Sequence, residues 1–264
     1  MSTPTTDPAD KPDSQALGKV KQAVARLPAK PSDERAFWRN ADGRVFGRFQ
    51  DQVITSRFLP IQDLETGELI GHAAATEDEA GQPVELDLDN LDSNTFIASD
   101  RLLRALHTLN YYGVSPLPVR LYLDVNQRFF TSVVDNHGKA FRLLIESLGL
   151  GAGHFVIQVV ANELTDLSTL AFAADNYRRN GFLTGLHART PLEANSLIAQ
   201  IRPDFLSLWL NAQWPMSSLA ELRKAADQFH VELIARHDTP DTSLYAARQA
   251  GIHFALRPHS VEPA

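Results

Sequence analysis

From about residue 44 onward, short apolar runs alternate with longer stretches in which apolar residues recur at helical spacing. The short runs are rich in β-branched and aromatic residues, which is typical of strands. The predicted strands cover residues 53–61, 68–74, 119–125, 154–160, 182–188, 205–210, 231–237 and 252–257. The predicted helices between them cover residues 94–111, 129–148, 163–179, 192–201, 217–228 and 241–250.

Glycine and proline mark the predicted helix ends. Gly181 and Gly251 follow the helices at 163–179 and 241–250, where a residue that tolerates a left-handed backbone is favoured. Pro191 and Pro240 stand where helices begin, because the missing N–H costs little there. Both signals agree with the boundaries that the apolar spacing predicts.

The alternating order predicts the α/β class. Strands that are apolar almost throughout indicate a parallel sheet covered by helices, and eight of them favour a closed barrel over an open sheet. The first two strands are joined by the turn-like segment QDLETGE, which fits a hairpin. We therefore predict a modified (β/α)8 TIM-like barrel with one antiparallel strand near its start.

The first 43 residues are predicted to be a flexible N-terminal extension, and residues 44–264 the barrel domain. Residues 1–15 are rich in Pro, Ser, Thr and Asp and bury too little apolar surface to order themselves. Residues 16–27 carry Leu17, Val20 and Val24 at helical spacing. They form either a short amphipathic helix or a frayed segment that packs only transiently.

Composition excludes several classes of function. The chain has 264 residues, no cysteine and a net charge of −7, which excludes disulfides and thiolate chemistry and disfavours binding to a nucleic-acid backbone. No apolar run reaches the roughly 20 residues that span a bilayer. The polar N-terminus lacks the order of a secretion signal, so we expect a cytoplasmic protein without a membrane partner.

Three segments resemble the EAL-domain family of cyclic di-GMP phosphodiesterases. They are FLPIQDLETGELIGHAA, RNGFLTGLHARTPLEANSLIAQIRPDFLSL and VELIARHDTPDTSLYAARQAG, and the resemblance extends over about residues 45–258. The family implies a modified (β/α)8 barrel with an antiparallel strand at its start. It also implies metal-dependent hydrolysis of cyclic di-GMP at the carboxyl ends of the strands.

The positions that would carry this chemistry depart from the family pattern. The resemblance places the metal-binding Glu of the Glu-Ala-Leu motif at Ala73 and a phosphate-binding Arg at Glu77, which reverses the charge. The other vestigial positions are Asp124, Gln158, His187, Ala188, Ser207, Trp209, Arg236 and Thr239. Two-metal hydrolysis needs several carboxylates, and Asp124 is one. We therefore expect a degenerate phosphodiesterase with no catalytic, cofactor-binding or metal-binding residues and no cofactor.

The replacing residues leave three alternatives open. His72, His187 and His237 stand at strand ends and form either a new imidazole metal site or loops that drifted. Three arginines form either an anion-binding rim or ion pairs with Glu77, Asp124 and Asp238; they are Arg189, Arg236 and Arg257. The aromatic residues around the sixth strand form either a partner site or ordinary packing; they are Trp209, Trp214 and Phe205.

The function predicted from the sequence is that of a catalytically inactive EAL-like domain. It acts as a protein-interaction or regulatory module in bacterial signalling, with an unidentified protein partner. One alternative is a cyclic di-GMP receptor that does not hydrolyse its ligand, although the changed positions disfavour cyclic di-GMP. Another is a repurposed enzyme with a histidine-containing site at the barrel mouth. Self-association into a homodimer is left open.

Overall fold

The computed structural model describes residues 12–31, 36–88, 90–114, 118–126, 137–160, 166–210, 214–236 and 242–256. The strands are β1 (Phe37–Arg39), β2 (Val45–Phe49), β3 (Gln52–Asp63), β4 (Leu69–Glu77), β5 (Arg120–Asn126), β6 (Phe155–Val160), β7 (Leu183–Ala188), β8 (Phe205–Trp209), β9 (Glu232–Arg236) and β10 (Phe254–Leu256). The helices are α1 (Ser14–Ala25), α2 (Ser93–Val114), α3 (His137–Ser147), α4 (Leu167–Arg179), α5 (Pro191–Gln200), α6 (Met216–Phe229) and α7 (Thr242–Gln249).

Strands β3 to β10 close into an eight-stranded barrel. The strands from β4 to β10 run parallel to one another. Strand β3 pairs antiparallel with both β4 and β10 and thereby closes the sheet. Helices alternate with the parallel strands, as a right-handed crossover requires. The predicted TIM-like barrel and its one antiparallel strand are confirmed.

The predicted helix boundaries follow from local chemistry. Gly181 and Gly251 both have positive φ, at 84° and 77°, and each is the second residue after its helix, α4 or α7. Thr190 precedes α5, and its Oγ1 accepts a hydrogen bond from Glu193 N at 3.2 Å, with Pro191 in the first turn. Pro240 lies outside the described residues.

Strand alternation separates two apolar cores. Tyr122 of β5 packs inside the barrel with Phe205 and Ile234, whereas its neighbours Leu121 and Leu123 belong to the core between sheet and helices. Successive residues of a strand face opposite sides of the sheet, and the same alternation holds on β6 to β10. Only every second residue of a strand therefore faces the barrel interior and can contribute to the barrel mouth. On β4 a register shift opposite Ile61 and Gln62 interrupts this alternation, and Ile70 and Ala73 both belong to the interior core.

Part of the predicted flexible extension is folded. Helix α1 begins after Asp13, whose Oδ1 accepts a hydrogen bond from Ala16 N at 2.7 Å, and it buries Val20 and Val24. Helix α1 packs on α2 where Gly113 leaves room; a Cβ at Gly113 would lie 2.8 Å from Val24 Cγ2. Strand β1 pairs with β2 across the predicted boundary at residues 43 and 44. The described part of residues 1–43 is thus attached to the barrel.

Among the described residues, no helix combines the length and the apolar character needed to cross a bilayer.

Candidate functional site

Five polar side chains meet at the carboxyl end of the barrel, and we call them the mouth cluster. They are Asp124 on β5, Gln158 on β6, His187 on β7, Ser207 on β8 and Arg236 on β9. Parallel strands place their carboxyl ends together, and each of these residues lies on the inward-facing series of its strand. Asp124 pairs in register with Gln158, and His187 with Ser207.

Gln158 links Ser207 to Asp124. The hydroxyl of Ser207 donates to Gln158 Oε1 at 3.2 Å, and Gln158 Nε2 donates to Asp124 Oδ1 at 2.8 Å. Gln158 and Ser207 are buried, at 1% and 2% exposure. Both polar groups of the Gln158 amide are satisfied, as burial demands, and its orientation toward Asp124 is fixed.

His187 bridges the acid and the base of the mouth cluster. Its Nε2 lies 3.3 Å from Asp124 Oδ1, and Arg236 Nη1 lies 2.9 Å from His187 Nδ1. Nη1 also lies 3.5 Å from His187 Nε2, so the guanidinium lies beside both ring nitrogens. His187 is thus placed in contact with a carboxylate and a guanidinium.

Trp209 supports Arg236 from one side. The guanidinium carbon lies 4.6 Å from the centre of the Trp209 ring, within the range of a cation–π interaction. Arg236 Nε is buried and has no hydrogen-bond partner among the described residues. The cation is thus held in place without using all of its donors.

Asp124 is held in its ionised form. Burial acts to raise the pKa of this carboxyl, but His187, Arg236 and the hydrogen bond from Gln158 together outweigh burial and lower the pKa below its ordinary value. The side chain keeps 42% exposure. The mouth cluster therefore carries one negative and one positive charge at neutral pH.

The side chains of the mouth cluster do not fit the metal centre that the resemblance implies. Within the described part of the chain, no group of three or more His, Asp or Glu side chains is placed to hold a metal ion. Asp124 supplies the carboxylate of the mouth cluster, and it already accepts from Gln158 and lies beside Arg236. A guanidinium repels a second cation, and hard divalent ions need several oxygen ligands.

The alternative of a histidine metal site that joins His72 and His187 is not formed. His72 faces the helices; its Nδ1 lies 2.8 Å from the Tyr111 hydroxyl on α2, and burial lowers its pKa to about 4. His187 faces the barrel interior, on the other side of the sheet. His237, the third histidine of that hypothesis, lies outside the described residues.

The remaining positions singled out by the resemblance are dispersed. Ala73 packs in the interior core beneath the mouth cluster, and Ala188 is fully buried in the helix-facing core. Glu77 is buried, at 6% exposure, and forms an ion pair with Arg44. Thr239 lies outside the described residues.

Arg44 is a residue that the sequence analysis missed. Besides Glu77, it contacts β3, with Nε donating to Thr55 Oγ1 at 3.2 Å and Nη2 to Ser56 O at 3.0 Å. No local signal could have found it, because the ion pair joins positions 33 residues apart. The negative charge at Glu77 is therefore paired with a cation of the protein itself.

The alternatives for arginines and aromatic residues are partly decided. Arg236 belongs to the mouth cluster and Arg189 is exposed, while Arg257 and Asp238 lie outside the described residues. Trp214 and Phe205 are buried, at 8% and 6% exposure, the first in the helix-facing core and the second inside the barrel. Together with the half-buried Trp209 they form no exposed aromatic patch.

Comparison with known proteins shows similarity at the level of structure. No protein-family model and no curated protein matches the chain. Bacillus subtilis YkuI, a protein with an EAL domain in complex with substrate c-di-GMP and calcium, is 16% identical, with a TM-score of 0.63 over 76% of this chain and 52% of that chain. The manganese and cyclic di-GMP complex of Klebsiella pneumoniae BlrP1 is 13% identical, with a TM-score of 0.65 over 78% of this chain and 55% of that one.

A smaller protein matches over most of its length. A standalone EAL protein from Vibrio cholerae O395, in its c-di-GMP-bound form, is 13% identical with a TM-score of 0.63, over 78% of this chain and 90% of that chain. The chain therefore has the fold of EAL domains. It spans about half the length of the YkuI and BlrP1 chains.

The prediction that cyclic di-GMP is disfavoured as a ligand is contradicted. The neighbours that share this fold hold c-di-GMP in their structures. The physical basis of that prediction also fails, because Arg44 neutralises Glu77 and Arg236 places a cation in the barrel mouth.

Proposed function

We propose that this domain binds cyclic di-GMP without hydrolysing it and acts as a regulatory module in bacterial signalling. Its fold is that of domains whose structures hold this dinucleotide. A cyclic dinucleotide carries two phosphodiester anions, and the mouth cluster offers a guanidinium at the end of the barrel where TIM-barrel ligands bind. The fold and the charge of the mouth cluster support binding.

The contacts of Asp124 are the observation that supports binding without hydrolysis. Hydrolysis with two metal ions requires several carboxylates that hold the cations and lower the pKa of a bound water. Here Asp124 accepts a hydrogen bond from Gln158, contacts His187 and lies near Arg236. Its carboxylate is thus already engaged and the nearby guanidinium repels a metal cation, so the mouth cluster offers a divalent ion little to bind.

Calorimetry and a hydrolysis assay test the two halves separately. Cyclic di-GMP is titrated into the full chain in EDTA and again in magnesium, and the same samples are incubated with magnesium or manganese and analysed by chromatography. We expect binding that does not depend on the metal and no linear dinucleotide product. Absence of binding under both conditions contradicts receptor function, and product formation above a no-protein blank contradicts inactivity.

A second candidate function is that of a protein-interaction module without a nucleotide ligand. The outer helices carry large apolar side chains that are exposed, namely Leu143 on α3 (58%), Phe172 on α4 (56%) and Leu192 on α5 (79%). These exposed apolar side chains are the residues that would contact a protein or a second copy of the chain in this second proposal. Light scattering of the wild type and of Leu192→Ser tests self-association; a monomer in both at high concentration removes the homodimer.

A further inference from the structure

We propose that Arg236 binds an anionic phosphodiester group of the ligand and that His187 is the residue that positions Arg236. The identity of the ligand rests on the proposed function, but the anion site rests on the mouth cluster alone. In this proposal an arginine binds the ligand in the barrel mouth, at a position where bound metal ions would require a carboxylate.

The unused donors of Arg236 support an anion site. A guanidinium has five N–H donors, and Nη1 donates to His187. Neither Nη2 nor Nε donates to another described residue, and Nε is buried. Nε and Nη2 lie on the side edge of the guanidinium, which matches two phosphate oxygens. This edge therefore has donors available for an anionic acceptor.

The supports of Arg236 make the site preorganised. His187 is buried, at 6% exposure, and Asp124 fixes its ring through Nε2. Trp209 holds the other side of Arg236, with the guanidinium 4.6 Å from the ring centre. A side chain that is already ordered loses little conformational entropy when a ligand binds.

The order of contacts from Asp124 to Arg236 assigns the roles. The carboxylate lies at one end, the imidazole of His187 in the middle and the guanidinium at the other end. His187 contacts both partners, so it positions the cation relative to the carboxylate. Replacing His187 with an apolar residue should weaken ligand binding, because Arg236 is then less well positioned. A replacement that can both donate and accept a hydrogen bond should preserve ligand binding.

Calorimetry with cyclic di-GMP in EDTA tests both roles. We expect Arg236→Met to weaken binding about tenfold or more, because a charge-assisted, bidentate contact is lost. Arg236→Lys keeps the charge without the planar edge and should bind with intermediate affinity. We expect His187→Leu to weaken binding severalfold. His187→Gln can accept from Arg236 and donate to Asp124, and it should stay within about threefold of the wild type.

Arg179→Met is the matched control. Arg179 is 78% exposed on the outside of α4, and its replacement removes the same charge far from the mouth cluster. Its affinity should equal that of the wild type, and the thermal midpoint of each variant verifies that it folds. If Arg236→Met binds as tightly as Arg179→Met while the wild type binds, this inference is overturned and the proposed function stands.

A phosphate titration separates the inference from the choice of dinucleotide. The indole N–H signal of Trp209 is assigned with Trp209→Phe and followed by NMR as inorganic phosphate is added, with the indoles of Trp38 and Trp214 as internal references. We expect the Trp209 signal to shift in the wild type and not in Arg236→Met. If the wild type binds no dinucleotide but shows this shift, the proposed function fails and the anion site stands. If neither ligand has an effect, both fail.

Discussion

The side chain of Asn110 on α2 holds the backbone of Val45 on β2 at both of its polar groups. Val45 N donates to Asn110 Oδ1 at 2.8 Å, and Asn110 Nδ2 donates to Val45 O at 2.8 Å. Asn110 is buried, at 3% exposure. The amide thus acts as a neighbouring strand would, and it joins the N-terminal strands to the helix layer of the barrel.

Replacing Asn110 with Leu should destabilise the fold by about 1–3 kcal/mol, because the buried N–H of Val45 loses its partner, whereas Val45 O still accepts from Thr55 Oγ1 at 2.7 Å. The free energy of unfolding, measured in urea, provides the test. Asn94→Ala is the control, since Asn94 is exposed in the first turn of the same helix, and it should change stability by less than about 0.5 kcal/mol. Equal effects of the two variants would show that the Val45 contact contributes nothing.

The barrel strands could be predicted from the sequence because each is a distinct apolar run between turn signals. Strand β1 could not, because it has three residues and its order depends on pairing with β2. The position of α1 on α2 was equally hidden, since periodicity shows that a helix has an apolar side without showing what covers it. The positions of β1 and α1 depend on contacts between segments that are distant in sequence.

The candidate site was predicted in part. A motif match gives the order of residues, whereas strand alternation decides which of them share a face. His187 faces the mouth and its neighbour Ala188 faces the helices, and the same rule separates Ala73 from His72. Alternation could therefore have removed His72 from the alternative of a histidine metal site. The ion pair between Arg44 and Glu77 had no such signal.

The buried ion pair of Arg104 and Asp100 on α2 should be essential for stability. Both side chains are nearly inaccessible, at 3% and 5% exposure. Burial raises the pKa of Asp100, although Arg104 opposes this effect. Arg104→Met leaves a buried carboxyl without its cation and should cost about 3–5 kcal/mol.

Urea unfolding of Arg104→Met and Arg101→Met provides the comparison. Arg101 is exposed on the same helix, so its replacement should be nearly neutral. The double variant Asp100→Leu/Arg104→Met removes both charges and should be more stable than Arg104→Met. If the double variant is the less stable of the two, the uncompensated charge is not the cause of the loss.

Stability should fall as the pH is lowered from about 6.5 to about 4, because of His107. Burial lowers the pKa of His107 from 6.5 to about 4 in the folded protein, with a small opposing effect of Asp124. The unfolded chain then binds a proton in this window that the folded chain does not, so unfolding becomes more favourable as the pH falls. His72, whose pKa is also lowered to about 4, acts in the same direction.

Unfolding free energies at pH 7 and pH 5 measure this dependence. One histidine with these two pKa values contributes about 2 kcal/mol to the difference between the two pH values. His107→Gln should reduce the pH dependence by about this amount. His230→Asn is the control, because His230 is exposed and Asn tolerates its left-handed backbone. An unchanged pH dependence in His107→Gln would exclude His107 as its source.

Gly71 on β4 should tolerate no side chain. A Cβ there would lie 2.5 Å from Tyr122 Cε2 and 2.8 Å from the backbone oxygen of Arg120, and the latter is fixed in the β4–β5 pairing. Gly71→Ala should therefore destabilise the barrel by about 1–3 kcal/mol through overpacking. Gly18 on α1 has open space at the corresponding position, so Gly18→Ala should stabilise the protein by up to about 1 kcal/mol through helix propensity. Thermal midpoints of both variants should move in opposite directions, and a Gly71→Ala midpoint at or above that of the wild type would show that β4 and β5 can separate without cost.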